Sequence, residues 1–438
     1  TPALLVAQQA WVLAVAQERI PVQVQVLEQQ VIAYYYQSDF ERMDRALERL
    51  QALDKSAKAQ WLRCMTRIAI LPESRAQARA ARRAFRQEWA YLEDSLEKNG
   101  DQGLGWQKLC EGVSHFYYIY HAINDLEILQ GLGRVGARWM QAAMQTVLGD
   151  TPNEQSKQNG DGRGRGRLRV GVLSYQIKQH SIWWAMLQGL YAHAPEDIEI
   201  HTFSLGSYED EQTAFAREKS SFFMGGIYAL EEWVQAIRAQ KLDVLYYPEV
   251  GLGAMTYRLA CLRLAPVQFT SWGNPQTSGL PHMDYFLSAR VFEAVEDEPS
   301  ASSASSAQEA YSEQVASLQS FPSCYARYQG EVQAFDGSDW GLDFSKKILL
   351  CSGSAFKYPY DAAAMYAEIA ARSQEEGTQL VFFEDDPHIF GLLQVRLQQA
   401  FADRGVAQQL VFCPWLNRAQ YQYLMKQSYL LLDSLGFS

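Results

Sequence analysis

The sequence predicts a helical first part followed by parallel α/β construction in two blocks. Three observations predict it. Residues 1 to about 150 carry apolar residues at three- and four-residue spacing with few glycines. From Arg167 onward, short apolar runs alternate with helical patterns, the order that builds parallel sheets. A serine- and alanine-rich stretch, residues 296–320, separates the two βαβ blocks and reads as an exposed insertion or mobile loop.

Taken in order, the opening TPALLVAQQAWVLAVAQERI lacks the basic start of a signal peptide and reads as an amphipathic helix. YYYQSDFERMDRALERLQAL resembles a helix–turn–helix repeat unit, though no clean 34-residue period runs through the block. A tetratricopeptide-like array and a plain helical bundle therefore both fit residues 1–150. Residues 151–167, polar and glycine-rich, form a linker. The first block, residues 168–330, has strands at RLRVGVLS, IEIHTFSL, LDVLYYPE and PVQFTSW. The second, residues 331–438, has strands at KKILLCSG, TQLVFFED, QQLVFCPW and YLLLDSLGFS. Helical patterns follow near 361–373, 389–404 and 419–427. The sequence stops just after a strand that needs a covering helix, so the protein is expected to continue.

Bulk properties narrow the function. The 438 residues suggest two or three domains. A net charge of −11 argues against nucleic acid as the main partner. No apolar run reaches the roughly 18–20 residues that span a bilayer. Cys64, Cys110, Cys261, Cys324, Cys351 and Cys413 are scattered without metal spacing, which suits a reducing cytoplasm better than a disulfide framework or a zinc site. No HExxH, GxSxG, GxGxxG or Walker motif is present.

What remains are polar turns at strand ends, where doubly wound sheets bind ligands. His180 follows the first strand of the first block; a structural histidine is the plainer reading of it alone. The turn TSWGNPQTSG exposes glycine, proline and hydroxyls, as any tight turn would. Ser352, Gly353 and Ser354 form a small-residue turn before Lys357, at a helix start that favours an anion; as an isolated residue, Lys357 reads as a surface charge. PWLNRAQY opens another helix, and Asp433 closes an apolar strand, placed to accept from a ribose diol. A nucleotide-sugar would use all five loops, and no DxD-like pair calls for a metal.

These residues carry a resemblance. LRVGVLSYQIKQHS, LRLAPVQFTSWGNPQTSGLPHMDYFLS, CSGSAFKYPYD and LLLDSLGFS look like signatures of the bacterial O-GlcNAc transferase and SPINDLY-like proteins, glycosyltransferase family 41. HFYYIYHAINDLEI resembles the segment preceding that family's catalytic halves. The likeness covers residues 110 to 438 in patches. It implies a GT-B fold, two Rossmann-like halves facing a cleft behind helical repeats. It implies inverting, metal-independent transfer of GlcNAc from UDP-GlcNAc to Ser/Thr hydroxyls of a protein acceptor, with no cofactor.

By motif, His180 matches the family histidine near donor and acceptor, and Lys357 the lysine on the diphosphate, with Ser354 and Phe356 beside it. Leu416, Arg418 and Tyr421 match the uracil loop, Asp433 the ribose aspartate, and Pro275, Thr277, Ser278 and Gly279 the loop lining the sugar. In that scheme His180 can serve as general base. Departures are Asn274 where relatives often have histidine, bulky Trp183 and Trp184 after His180, and a Gly-Gly-Asn-Thr run expected just past Ser438. Two alternatives stay open: a UDP-hexose transferase acting from UDP-glucose on asparagine, flagellin or adhesins, and a non-catalytic helical scaffold with a degenerate GT-B domain.

Overall fold

The computed structural model describes residues 20–99, 113, 115–121, 123–148, 166–293, 308–319, 323–325 and 327–434. The expected N-terminal helix, nearly all of the linker 151–167, residues 294–307 of the serine-rich region, Cys110 and residues 435–438 lie outside that set. The chain forms two compact units. One comprises Thr1–Leu92, Tyr117–Ile123 and Tyr328–Ser438; the other, Glu93–Phe116 and Asn124–Arg327. The helical block expected over 1–150 is thus shared between them. No described helix is long and apolar enough to cross a membrane.

In the first unit, helices α1 (Ile20–Tyr36), α2 (Phe40–Leu53), α3 (Ala57–Met65) and α4 (Arg75–Asn99, running past the unit's edge) come first. Local chemistry sets their starts. Asp39 caps α2 by accepting from the Arg42 N–H, and Ser56 caps α3 by accepting from Ala59. Helix α2 buries Met43, Ala46, Leu47 and Leu50, a single face at helical spacing. The short 3₁₀ helix His115–His121 follows. Arg82 donates to Nδ1 of buried His121 at 3.0 Å, while His121 Nε2 lies 2.7 Å from the Ala69 carbonyl.

The second unit holds α5 (Leu126–Leu148), which packs on two helices of its sheet. Its strands are β1 (Leu168–Ser174), β2 (Ile198–Ser204), β3 (Phe222–Gly225), β4 (Val244–Tyr247), β5 (Val267–Ser271), β6 (Tyr285–Ala289) and β7 (Gln314–Leu318). They lie in the order β3-β2-β1-β4-β5-β6-β7, every pair parallel. Helices α6 (Gln188–His193), α7 (Glu211–Lys219), α8 (Leu230–Ala239), α9 (Ala254–Ala260) and α10 (Arg290–Glu293) fill the connections. The last five residues of β1 are buried, as a parallel strand covered on both faces must be. Strand order reverses between β1 and β4, the switch point of a doubly wound sheet.

One expectation changes here. Within the stretch 296–320, read as a loose insertion, residues 314–318 are the edge strand β7, paired with β6 from Tyr285↔Gln314 to Ala289↔Leu318. Buried Glu313, just before β7, fastens it inward. The polar composition that suggested a loop is what an edge strand tolerates.

The first unit closes with a second parallel sheet, order β10-β9-β8-β11 among the described residues. It comprises β8 (Lys347–Cys351), α11 (Ala362–Arg372), β9 (Thr378–Glu384), α12 (Pro387–Asp403), β10 (Leu410–Pro414), α13 (Arg418–Gln427) and the two-residue β11 (Leu430–Leu431). Its core gathers Ile348, Leu350, Val381, Val411 and Leu424. Arg396 of α12 donates to the Leu71 carbonyl at 2.9 Å, tying this half to the helices of the same unit.

Candidate functional site

In the first unit, the turn after β8 carries the candidate lysine. Ser354 precedes a 3₁₀ turn, Ala355–Lys357, closed by the Lys357 N–H donating to the Ser354 carbonyl at 2.9 Å. Gly353 donates its N–H to the hydroxyl of buried Tyr358, which anchors the turn between Tyr366 and Phe382. Asp385, at the end of β9, braces the turn by accepting the Ala355 N–H at 2.9 Å through Oδ2. Its other oxygen, Oδ1, is buried without a hydrogen-bond partner among the described residues, and burial lifts its carboxyl above the ordinary range.

Strand β11 lies beside β8, Leu430 opposite Leu349, so Asp433 leaves the sheet next to the lysine turn. The Tyr366 hydroxyl donates to the Asp433 carbonyl at 3.0 Å and holds that exit in place. Lys357 is half-buried, and burial pushes its ammonium pKa down; the Asp433 charge pulls it back up. The structure therefore brings Ser354, Lys357 and Asp433 together at the carboxyl ends of adjacent strands, where a helix-rich parallel sheet binds anionic ligands.

The other candidates of this unit divide. The Phe356 ring packs on Tyr120 (centroids 4.8 Å) and Tyr117 (5.8 Å), which makes it a packing residue of the turn. Leu416 is buried in the core of the sheet. A nucleotide would meet its main chain only. Arg418 begins α13, exposed, with its guanidinium 4.9 Å above the Tyr328 ring. Asn417 caps that helix by accepting from Gln420 at 2.9 Å. Tyr421 is half-buried against Phe383.

In the second unit, His180 sits just past β1, before a single π-helical turn, Trp183–Leu187, a distortion common at functional positions. Its Nδ1 accepts the Ile182 N–H at 3.2 Å, and its carbonyl accepts from Trp184. Burial, with Lys178 nearby, pushes its pKa down to about 4. The loop after β5 is held hard. Asn274 donates to the Val250 carbonyl, and Gly273 abuts the Pro248 carbonyl so closely that a Cβ would lie 2.3 Å from it. Asn274, standing where a histidine was expected, is thus a structural clamp.

Thr277 and Ser278 are buried, and both hydroxyls donate to the Glu313 carboxylate, the first at 2.6 Å. The Ser278 N–H donates there too, at 2.7 Å. Gly279 has φ +68° and lies against the Leu129 backbone of α5. These three residues lock the loop and have little left for a ligand; half-buried Pro275 is the one of the four with an accessible face.

Sequence reasoning passed over Glu249, Glu313 and Asp385. Glu249 follows β4 at the switch point, fully buried, accepting from the Ser174 hydroxyl (2.7 Å) and the Tyr175 N–H (2.9 Å). Desolvation outweighs those donors and pushes its pKa up to about 8. The available signal was the acid directly after an apolar strand, in YYPEV and in FFEDD.

Two parallel doubly wound sheets behind a helical segment are the architecture of GT-B proteins. The comparisons agree. The fold matches a lysine-to-methionine mutant of the Thermobaculum terrenum O-GlcNAc transferase with a TM-score of 0.56 and 18% identity, over 96% of this chain and 79% of that one. In sequence, 155 residues are 27% identical to a probable UDP-N-acetylglucosamine–peptide N-acetylglucosaminyltransferase SPINDLY from Eustoma exaltatum subsp. russellianum. That stretch spans 34% of this chain and 16% of the relative. No family model matches the chain. The chain resembles the O-GlcNAc transferase and SPINDLY-like proteins, and its fold is theirs.

Proposed function

We propose that this protein is a glycosyltransferase that moves GlcNAc from UDP-GlcNAc to Ser/Thr hydroxyls of a polypeptide, with inversion at the sugar. The observation that carries the reading is the juxtaposition of Lys357 with Asp433 at the carboxyl ends of β8 and β11. A half-buried cation beside a strand-end carboxylate suits a diphosphate and a ribose diol on one ligand. The named activity of the SPINDLY relative, from UDP-N-acetylglucosamine to a peptide, supports the same donor and a polypeptide acceptor.

In this reading the acceptor oxygen attacks the sugar C1 as the bond to the diphosphate breaks, and the departing oxygen keeps the electron pair. Lys357 and N–H groups of its turn stabilise that charge. No divalent ion is assigned a part, because the lysine supplies the charge. Arg418 and the main chain at Leu416 serve the uracil. His180 receives a different role from general base. With Nδ1 accepting a main-chain N–H, the neutral ring carries its proton on Nε2, so it can offer a ligand a donor and no base. The acceptor proton leaves late, to water or a phosphate oxygen.

The test is a thermal shift with UDP, UDP-GlcNAc and UDP-glucose, then intact-mass analysis of candidate polypeptides with each sugar, with and without EDTA. A ligand at 100 times its dissociation constant adds about 2.7 kcal/mol of stability. The proposal expects a shift with UDP, a gain of one N-acetylhexosamine on the polypeptide, and indifference to EDTA. A hexose gain points to the UDP-glucose alternative, EDTA sensitivity removes the metal-free mechanism, and no shift with any ligand points to a scaffold.

A further inference from the structure

The second unit holds a cavity of about 350 Å³ that none of the assigned roles uses. It opens at the carboxyl ends of β1, β2 and β3, on the same sheet edge as His180. Tyr175 follows β1, Tyr208 follows β2, and Ile227 and Tyr228 follow β3; Trp233 of α8 forms the floor and Lys178 stands at the wall. The site is built. Trp233 is 1% exposed and meets the Tyr228 ring edge-on at 5.2 Å. Gly253 makes room for the Tyr175 ring, since a Cβ there would lie 2.2 Å from it.

Two features say what enters. The rim is apolar and open to solvent, with Ile227 81% and Tyr208 63% exposed, and exposed apolar residues around a cavity mark binding surfaces. The volume lies near the lower end for ligand sites and suits one large side chain. The second feature is charge. Lys178 makes no ion pair among the described residues, while the acids around it are engaged elsewhere. Glu209 pairs with Arg217, Asp210 caps α7, and Glu211 accepts from Gln179. Lys178 lies close enough for its charge to be felt at His180 and Glu249.

We propose that this cavity is a subsite for the acceptor polypeptide: it takes one aromatic side chain, and a carboxylate on the neighbouring acceptor residue meets Lys178. The assignment of the occupant as acceptor rests on the transferase reading above.

The experiment measures binding of four dye-labelled octapeptides to the full chain by fluorescence anisotropy, with UDP present. Each has one serine, flanked by Phe-Glu, Ala-Glu, Phe-Lys or Ala-Lys. The Phe-Glu peptide is expected to bind at least tenfold tighter than either single replacement, and added salt should erode the Glu preference. Lys178→Glu should reverse the Glu-over-Lys preference, and Ile227→Asp should abolish the preference for Phe; Lys178→Gln, a milder change, should cancel the charge preference alone. Equal binding of all four peptides, or an unchanged charge preference in Lys178→Glu, overturns the proposal. A UDP thermal shift in each variant separates the two readings. Peptide selectivity without UDP binding sinks the transferase and leaves the subsite, whereas UDP binding without selectivity does the reverse.

Discussion

The Ile182 main-chain N–H donates to Nδ1 of His180 at 3.2 Å. That single bond fixes the tautomer with the proton on Nε2, and burial keeps the ring neutral down to about pH 4. Nitrogen NMR should therefore find Nε2 protonated and Nδ1 bare at pH 7, with titration near pH 4. The transfer rate should show no acid limb from His180 between about pH 5 and 8. A limb near the free-histidine value of about 6.5 would restore the general base.

Stability should bend with pH in opposite directions on the two sides of neutrality. Burial pushes His115, packed against Tyr257, down to about 4, and burial, with Arg82 facing it, pushes His121 to about 3. Their unfolded forms bind protons that the folded forms refuse, so the stability they give is present above about pH 6.5 and lost as pH falls through 4 and 3. Each contributes a slope of up to about 1.4 kcal/mol per pH unit between its folded value and about 6.5. Glu249 is the reverse: raised to about 8, it stabilises below about pH 4.5 and loses that contribution as pH rises through 8. Urea unfolding at pH 5, 7 and 9 should show Glu249→Gln losing less stability than the parent between pH 7 and 9. An identical loss would mean that Glu249 is already ionised at pH 7.

Removing the Lys357 ammonium should slow transfer by about 10²–10³-fold, the cost of one donor to a developing oxyanion. Asp433→Asn tests the pairing. The carboxylate raises the Lys357 pKa, so its loss lets the amine titrate lower, and the alkaline limb of kcat should move to lower pH. KM for the donor should also rise, because Asp433 is assigned to the ribose. An unmoved limb would show that Lys357 does not set it.

Much of the sheet was legible because buried parallel strands are continuous apolar runs: ILLC in β8 and QLVFF in β9 stand out unaided. Strands β3, β6 and β7 were missed for a physical reason. β3 is four residues with none fully buried, and β7 mixes polar and small side chains at an edge. Among the candidate residues, Lys357 and Asp433 were readable as polar residues at strand ends. The commitment of Thr277 and Ser278 to Glu313 was not, since the acid lies 35 residues on from Ser278 in a stretch whose composition suggests a loop. Pairing across such separations is set by packing that no local pattern records.

The contact between α5 and the loop after β5 gives a prediction in which two rules oppose each other. Gly133 lies in the middle of α5, where alanine is the better helix former by about 1 kcal/mol. Propensity alone therefore expects Gly133→Ala to stabilise. A Cβ at Gly133, however, would sit 2.1 Å from the Gly279 carbonyl oxygen, and one at Gly279 2.2 Å from the Leu129 main chain. Both obstacles are backbone, which cannot swing aside, so α5 or the loop must shift, at a cost of about 1–3 kcal/mol. At Gly279 the φ of +68° adds about 1–2 kcal/mol of strain for any L side chain. Gly279→Ala should thus be the more destabilising of the two, and Gly133→Ala should be neutral to destabilising despite propensity. The double variant should cost less than the sum, because once the surfaces part for one methyl the second meets less resistance. Denaturant unfolding of the three variants decides it. A Gly133→Ala protein about 1 kcal/mol more stable than its parent would show that α5 and the loop do not hold this close contact.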